Sequence, residues 1–184
     1  MKTDTWLKKA LAPKNDPHES LHSVFALQGR LAASNGKVVY LAEAGEAPAL
    51  TPKGWDDTLA DYLTRPLPTT ATVTTDPLLH AARAAKAVEA DTLRLTLNGA
   101  AIVYAKGPDA ETTWTLENGS KWELGDPVQY QKTGPDAELA LSPKYLRDAL
   151  SGMGETVTVE LGKDFARIAD GARIAVIMGM HTGR

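Results

Sequence analysis

Two hydrophobic rhythms alternate along this chain, one close to the helical period and one of two residues, and the pairing occurs three times. The helical rhythm occupies Thr3-Asp4-Thr5-Trp6-Leu7-Lys8-Lys9-Ala10-Leu11, Thr75-Asp76-Pro77-Leu78-Leu79-His80-Ala81-Ala82-Arg83 and Ser142-Pro143-Lys144-Tyr145-Leu146-Arg147-Asp148-Ala149-Leu150. A hydroxyl opens each copy, a large apolar residue and Leu follow, and a basic side chain or His comes next. A spacing of roughly 70 residues between copies reads as one structural unit used repeatedly. β-type sequence follows each copy, at Ser23–Leu27, Thr92–Leu97 and Thr156–Leu161, and the last two keep the rhythm of two. Glycines then mark turns at Gly36, Gly107 and Gly171, bordered by Val38–Leu41, Ala101–Tyr104 and Ile174–Ile177. Each unit is predicted to run helix, strand, turn, strand, turn, strand. The fold class is α+β, built from repeated helix-plus-antiparallel-strand modules.

Local signals place the boundaries. Thr3, Thr75 and Ser142 are expected N-caps, because a side-chain oxygen can accept from free backbone N–H groups. Pro77 and Pro143 fit a first turn, where an N–H has no intrahelical partner. The first helix should end before Pro13 and the third near Gly152 and Gly154. Asn118-Gly119 predicts a hairpin between Thr112–Leu116 and Lys121–Leu124. Two stretches fall outside the repeat. Residues Ala44–Thr70 are rich in Pro and Thr and enclose an acidic candidate helix, Trp55–Leu63, with Asp56, Asp57 and Asp61. Gly125–Asp136 reads as a joining loop. The expected division is residues 1–66, one module with an insertion at 44–66, and residues 67–184, a domain of two modules.

Composition narrows the class without naming a function. The 184 residues are 43% hydrophobic and 23% charged, the balance of a globular chain. No apolar run of about 18 residues predicts a membrane span. The absence of cysteine excludes disulfides and thiolate metal sites and fits a reducing, cytoplasmic setting. The formal net charge is −3, yet the helical segments carry Lys8, Lys9, Lys14, His80, Arg83, Lys86, Lys144 and Arg147 against Asp4, Asp76 and Asp148. Such a basic face on an acidic body suits sequence-independent contact with phosphates. Lys and Arg on solvated helix faces give the same pattern without any ligand. His18-Glu19-Ser20-Leu21-His22 matches H-E-x-x-H, with Glu43 as a candidate third ligand. On a helix these residues could hold zinc for a metallohydrolase. Pro17 before the motif and strand sequence after it oppose such a helix. Trp6, aligned with Leu78 and Tyr145 in the repeat, is an expected core residue, while Trp114 and Trp122 flank the predicted hairpin.

The layout resembles the DNA sliding clamp family, the bacterial polymerase III β subunit and its relatives. Leu141–Leu150 is similar to the helix of the last clamp half-domain. Thr156–Leu161, Phe165-Ala166-Arg167-Ile168 and Ala175-Val176-Ile177-Met178-Gly179-Met180 are similar to the strands that end a bacterial clamp. Arg30–Gly36 with Val38–Glu43 is similar to strands of a clamp's first half. Gly179 stands where the family has proline, and His181–Arg184 extends the tail. The resemblance implies a non-enzymatic processivity factor without cofactor, whose module helices face duplex DNA. It also implies an apolar pocket for polymerase or other client peptides, to which Val176, Met178 and Met180 correspond. Twelve modules close a ring in this family, so three per chain imply a homo-oligomer, a tetramer. The small size points to a phage-like replication system. A monomeric adaptor that binds replication or host proteins without encircling DNA is the alternative within the same fold.

Overall fold

A computed structural model describes residues 2–43, 56–98, 101–106, 111–116 and 131–180. The first module comprises helix α1 (Thr3–Leu7), a 3₁₀ turn over Lys8–Ala10, and strands β1 (Phe25–Leu27), β2 (Arg30–Ser34) and β3 (Val38–Glu43). Helix α2 (Asp56–Thr64) follows. The second module runs β4 (Thr69–Thr74), α3 (Thr75–Ala87), β5 (Leu93–Leu97), β6 (Ala101–Lys106) and β7 (Glu111–Leu116). After β8 (Gln131–Thr133), the third runs β9 (Ala137–Leu141), α4 (Pro143–Leu150), β10 (Thr156–Leu161), β11 (Phe165–Ala169) and β12 (Arg173–Met178).

The second and third modules exchange their leading strands. β4 pairs antiparallel with β10, and β9 with β5. The sequence pattern missed both leading strands. Thr69-Thr70-Ala71-Thr72-Val73-Thr74 follows a Pro- and Thr-rich stretch, and its pairing with β10, Val73 opposite Val157 and Ala71 opposite Val159, makes it a strand. β8 also corrects the expected loop over Gly125–Asp136, since Gln131–Thr133 adds to the edge of β4. Among the described residues the result is one sheet of order β1-β2-β3-β12-β11-β10-β4-β8 and a second of order β7-β6-β5-β9. The first module joins the larger sheet through β3 and β12, with Val39 opposite Val176 and Leu41 opposite Ile174.

Alternation along the strands gives the larger sheet two buried faces. On one, Val38, Tyr40, Ala42, Val157, Val159, Ala166, Ile168, Ala175 and Ile177 meet the helices in the main core, which the smaller sheet completes with Leu93, Leu95, Leu97, Leu139 and Leu141. The buried positions of α3 (Leu78, Ala81, Ala82, Ala85) and α4 (Leu146, Ala149, Leu150) recur at helical spacing toward this core. On the opposite face, Phe25, Leu27, Ala32, Val39, Leu41, Phe165 and Val176 form a second cluster. Ala12, Leu21 and Leu59 of α2 close it, with Tyr62 and Leu63 packed alongside.

The helix starts differ from expectation. None of α1, α3 and α4 has a side-chain cap bond, and the cap positions are Lys2, Thr74 and Ser142. Thr75 lies inside its helix, where its hydroxyl donates to the Gly154 carbonyl at 2.5 Å. Its backbone N–H goes to the Glu155 carbonyl, so the turn after α4 supplies the cap. α1 is also shorter than its sequence rhythm, and the chain tightens to 3₁₀ at Lys8. The predicted Asn118-Gly119 hairpin, with Trp122, lies outside the described residues.

Candidate nucleic-acid interface and apolar groove

Two surfaces result, one on the helix side and one on the opposite face. On α3, the residues opposite the buried stripe are His80, Arg83 and Lys86, spaced by three and all exposed. They form a basic row along successive turns, because positions three apart share a face. α4 lies beside α3 and adds exposed Lys144, whose ammonium sits 5.3 Å from the Tyr145 ring centre. α1 is fastened to α4 by Trp6. Its indole N–H donates to the Ala149 carbonyl at 2.8 Å, and its ring stacks on Tyr40 at 4.6 Å. This fastening puts exposed Lys8 on the same helix layer, paired to Asp4 at 2.7 Å.

Three of the sequence-predicted basic residues are placed otherwise. Arg147 is half-buried and bound to Asp148 at 2.6 Å, so its charge is internally balanced. Lys9 donates to the Ser151 hydroxyl at 2.7 Å and bridges α1 to the end of α4. Lys14 is exposed but follows Ala12, which belongs to the opposite-face cluster, so it stands apart from the helix row. Tyr40 lies under the Arg147–Asp148 pair and donates to the Tyr145 carbonyl at 3.0 Å. Burial pushes the Tyr40 hydroxyl well above its ordinary range, and the Asp148 charge adds to the effect.

On the far face, Phe165 stands opposite Met178 and Arg167 opposite Val176 in the β11–β12 register. Val176 is buried and Met178 partly so within one apolar cluster, whereas Met180 is 38% exposed beyond it. Of the three predicted client residues the structure therefore groups two. Met180 is carried off by the chain end, where its N–H donates to the Ala140 carbonyl of β9. α2 lies over this cluster. Tyr62 meets Phe165 edge-on at 5.0 Å, and the Arg65 guanidinium lies 5.8 Å from the Phe165 ring centre. Arg167 forks onto Glu160 at 2.5 and 2.9 Å and also donates to the carbonyls of Tyr62, Leu63 and Arg65. The Tyr62 and Leu63 carbonyls belong to the last turn of α2 and Arg65 follows it, so Arg167 caps the helix from β11. Sequence reading did not single out Phe165, Arg167 or Glu160 for this role. The available signal was the i, i+3, i+4 stripe Leu59, Tyr62, Leu63.

The zinc reading does not survive. Glu19–Leu21 is a single 3₁₀ turn with His18 before it and His22 after it, so no α-helical face carries both imidazoles. His18 is bound instead to the Asp16 carboxylate at 3.0 Å. Bonds from the His18 backbone and ring hold that carboxyl below its ordinary range. Among the described residues no three His, Cys, Asp or Glu side chains gather to hold a metal ion. None of the described helices is long and apolar enough to cross a membrane.

Exchanged leading strands, a helix layer on one side and a sheet continued across modules define the DNA sliding clamp fold. The sequence matches no family profile and no curated protein. Solved structures match closely in shape. A putative DNA polymerase III β subunit from Eubacterium rectale is similar with a TM-score of 0.73 at 12% identity, over 97% of this chain and 63% of that one. The DNA polymerase sliding clamp of Pseudomonas aeruginosa is similar at 0.71 and 15%, over 97% and 64%. The DNA polymerase III β subunit of Thermotoga maritima is similar at 0.70 and 15%, over 98% and 63%. The chain thus spans less than two thirds of the length of these structures.

Proposed function

We propose that this chain is a clamp-like processivity factor, without catalytic chemistry, that holds duplex DNA against its helix layer and tethers a polymerase or other client through the opposite face. The row His80, Arg83 and Lys86, extended by Lys144, carries this reading, and Lys8 on the same layer is paired to Asp4. These side chains are exposed on one layer of helices while an acidic chain keeps few carboxylates there. Phosphate contact of this kind carries no sequence information, and its affinity falls steeply with salt. Tethering makes each polymerase rebinding event intramolecular, at high effective concentration. The clamp-like folds of the E. rectale, P. aeruginosa and T. maritima proteins support the reading. The division into residues 1–66 and 67–184 belongs to the same proposal. The strand exchange of the second and third modules supports it, since that pair forms a unit to which the first adds by sheet continuation. The test is the salt dependence of duplex DNA binding. Changing Arg83, Lys86 and Lys144 to Glu should lower affinity at low salt and flatten the slope of log K against log salt by about 2–3. An unchanged slope would remove the helix layer as the DNA surface.

A further inference from the structure

The turn after α4 adjoins the start of α3, where the Thr75 N–H donates to the Glu155 carbonyl at 2.8 Å, so the two helices run antiparallel. Exposed Lys144, in the first turn of α4, therefore belongs to the same end of the pair as Arg83 and Lys86, late in α3. Arg147 comes three positions after Lys144 and shares its face, which would make it the next phosphate contact along α4. Its guanidinium is committed elsewhere. Nε and Nη2 both donate to one carboxylate oxygen of Asp148, at 3.0 and 2.6 Å. Successive helix positions do not face each other, so the long side chain must fold back along α4 to make these bonds. The Asp148 side chain is 9% exposed and that of Arg147 26%, which puts the carboxylate below the surface and the guanidinium over it. Removing the guanidinium would leave a buried charge without compensation, a strongly unfavourable state. The Lys8–Asp4 pair on the same layer is different, since both its members are exposed and exchange with a phosphate costs little.

We propose that Asp148 withholds Arg147 from DNA and thereby limits the number of phosphates that the helix layer neutralises. The inference rests on the DNA role given above to that layer. Asp148 acts through Arg147 as a positioning residue, and its effect is to lower affinity. Each phosphate neutralised by a protein cation adds about 0.9 to the slope of log K against log salt. A protein that moves along duplex DNA must release its phosphate contacts at every step, so one contact fewer favours movement over fixed binding.

The experiment is a salt titration of a fluorescent DNA duplex with the full chain and its variants, read by anisotropy. Asp148→Asn keeps the shape of the side chain and removes its charge, leaving only a weaker neutral hydrogen bond to hold the guanidinium. It should steepen the slope by about one and tighten binding roughly threefold or more at low salt. Asp76→Asn removes an exposed carboxylate from the same layer without freeing a cation, so its slope should stay at that of the native chain. Equal steepening in both variants would mean a general charge effect and overturns the proposal. Replacing the pair together, Arg147→Gln with Asp148→Asn, preserves the net charge and should bind as the native chain does. A flatter slope in that double variant would show Arg147 already on a phosphate, which also overturns it. Should Asp148→Asn fail to fold, the unaltered chain labelled with nitrogen-15 decides the matter. Saturating duplex should shift the Arg83 Nε–H resonance and leave that of Arg147 in place, and an equal shift at Arg147 overturns withholding. Lys144→Glu separates this idea from the reading it rests on. If Lys144→Glu weakens binding while Asp148→Asn leaves the slope unchanged, the helix layer remains the DNA surface and withholding alone falls. If neither variant alters binding, the DNA role of the layer falls and takes the proposal with it.

Discussion

Trp6 and Tyr40 join the first module to the third at the level of single side chains. Trp6 reaches Ala149 with its indole N–H, and Tyr40 reaches Tyr145 with its hydroxyl. The fit leaves no room at Gly152, where an added Cβ would stand 2.2 Å from Trp6 Cδ1. Gly152→Ala should therefore cost about 1–3 kcal/mol through displacement of the indole, read from a urea melt. Tyr40 predicts an alkaline limit. Its buried hydroxyl holds its proton above the ordinary value of 10.0, while the unfolded chain releases it there. A folded-state pKa raised above the unfolded one gives stability that is complete below pH about 10 and lost as pH rises further. Urea melts between neutral and strongly alkaline pH should show this decline, with a shallower slope in Tyr40→Phe. The same variant should lose about 1 kcal/mol at neutral pH with its hydrogen bond. An identical alkaline slope in both proteins would refute the assignment.

Elements were legible wherever their rhythm was strong. β5 alternates Leu93, Leu95 and Leu97 inward, and β10 does the same with Val157, Val159 and Leu161. β4 was not legible, because threonine-rich sequence after prolines has no partner until β10 comes alongside. Gly179 itself acquires a cause at this scale. The Gly179 N–H donates to the Asp164 carbonyl at 2.7 Å, which proline could not do. A Cβ there would lie 2.8 Å from Leu139 Cδ1 and 3.0 Å from that carbonyl oxygen. Gly179→Pro should consequently destabilise the β12 end by roughly 2 kcal/mol or more. Guanidinium melts compare the two. A neutral or stabilising result would mean that the chain end can relax away from Leu139.

At the scale of the molecule, helices line one side of continuous antiparallel sheet and α2 covers part of the other. Helix positions facing away from the core face outward together, so modest charge on each sums to a basic row, even though Arg147 is neutralised by Asp148. Assembly belongs to this scale. Absolute mass by light scattering across protein concentration should show a discrete oligomer, a tetramer if twelve modules close around DNA. A persistent monomer would end the encircling reading and favour the clamp-fold adaptor.

The sequence by itself determined the repeated helix-and-strand modules, the burial of Trp6 and the exposure of the α3 basic row. Each of these follows from periodicity along a few residues, which local geometry converts directly into a buried or an exposed face. Of the three residues proposed for a client, Val176 and Met178 share a cluster, whereas Met180 bonds to β9. Tertiary structure alone decided the strand exchange, the neutralisation of Arg147 and the capping of α2 by Arg167. Arg167 and Leu63 are far apart in the chain, and Asp148 takes its effect on Tyr40 from a helix packed across the core. Such contacts depend on which elements become neighbours, and no local pattern of hydrophobic and polar residues specifies that.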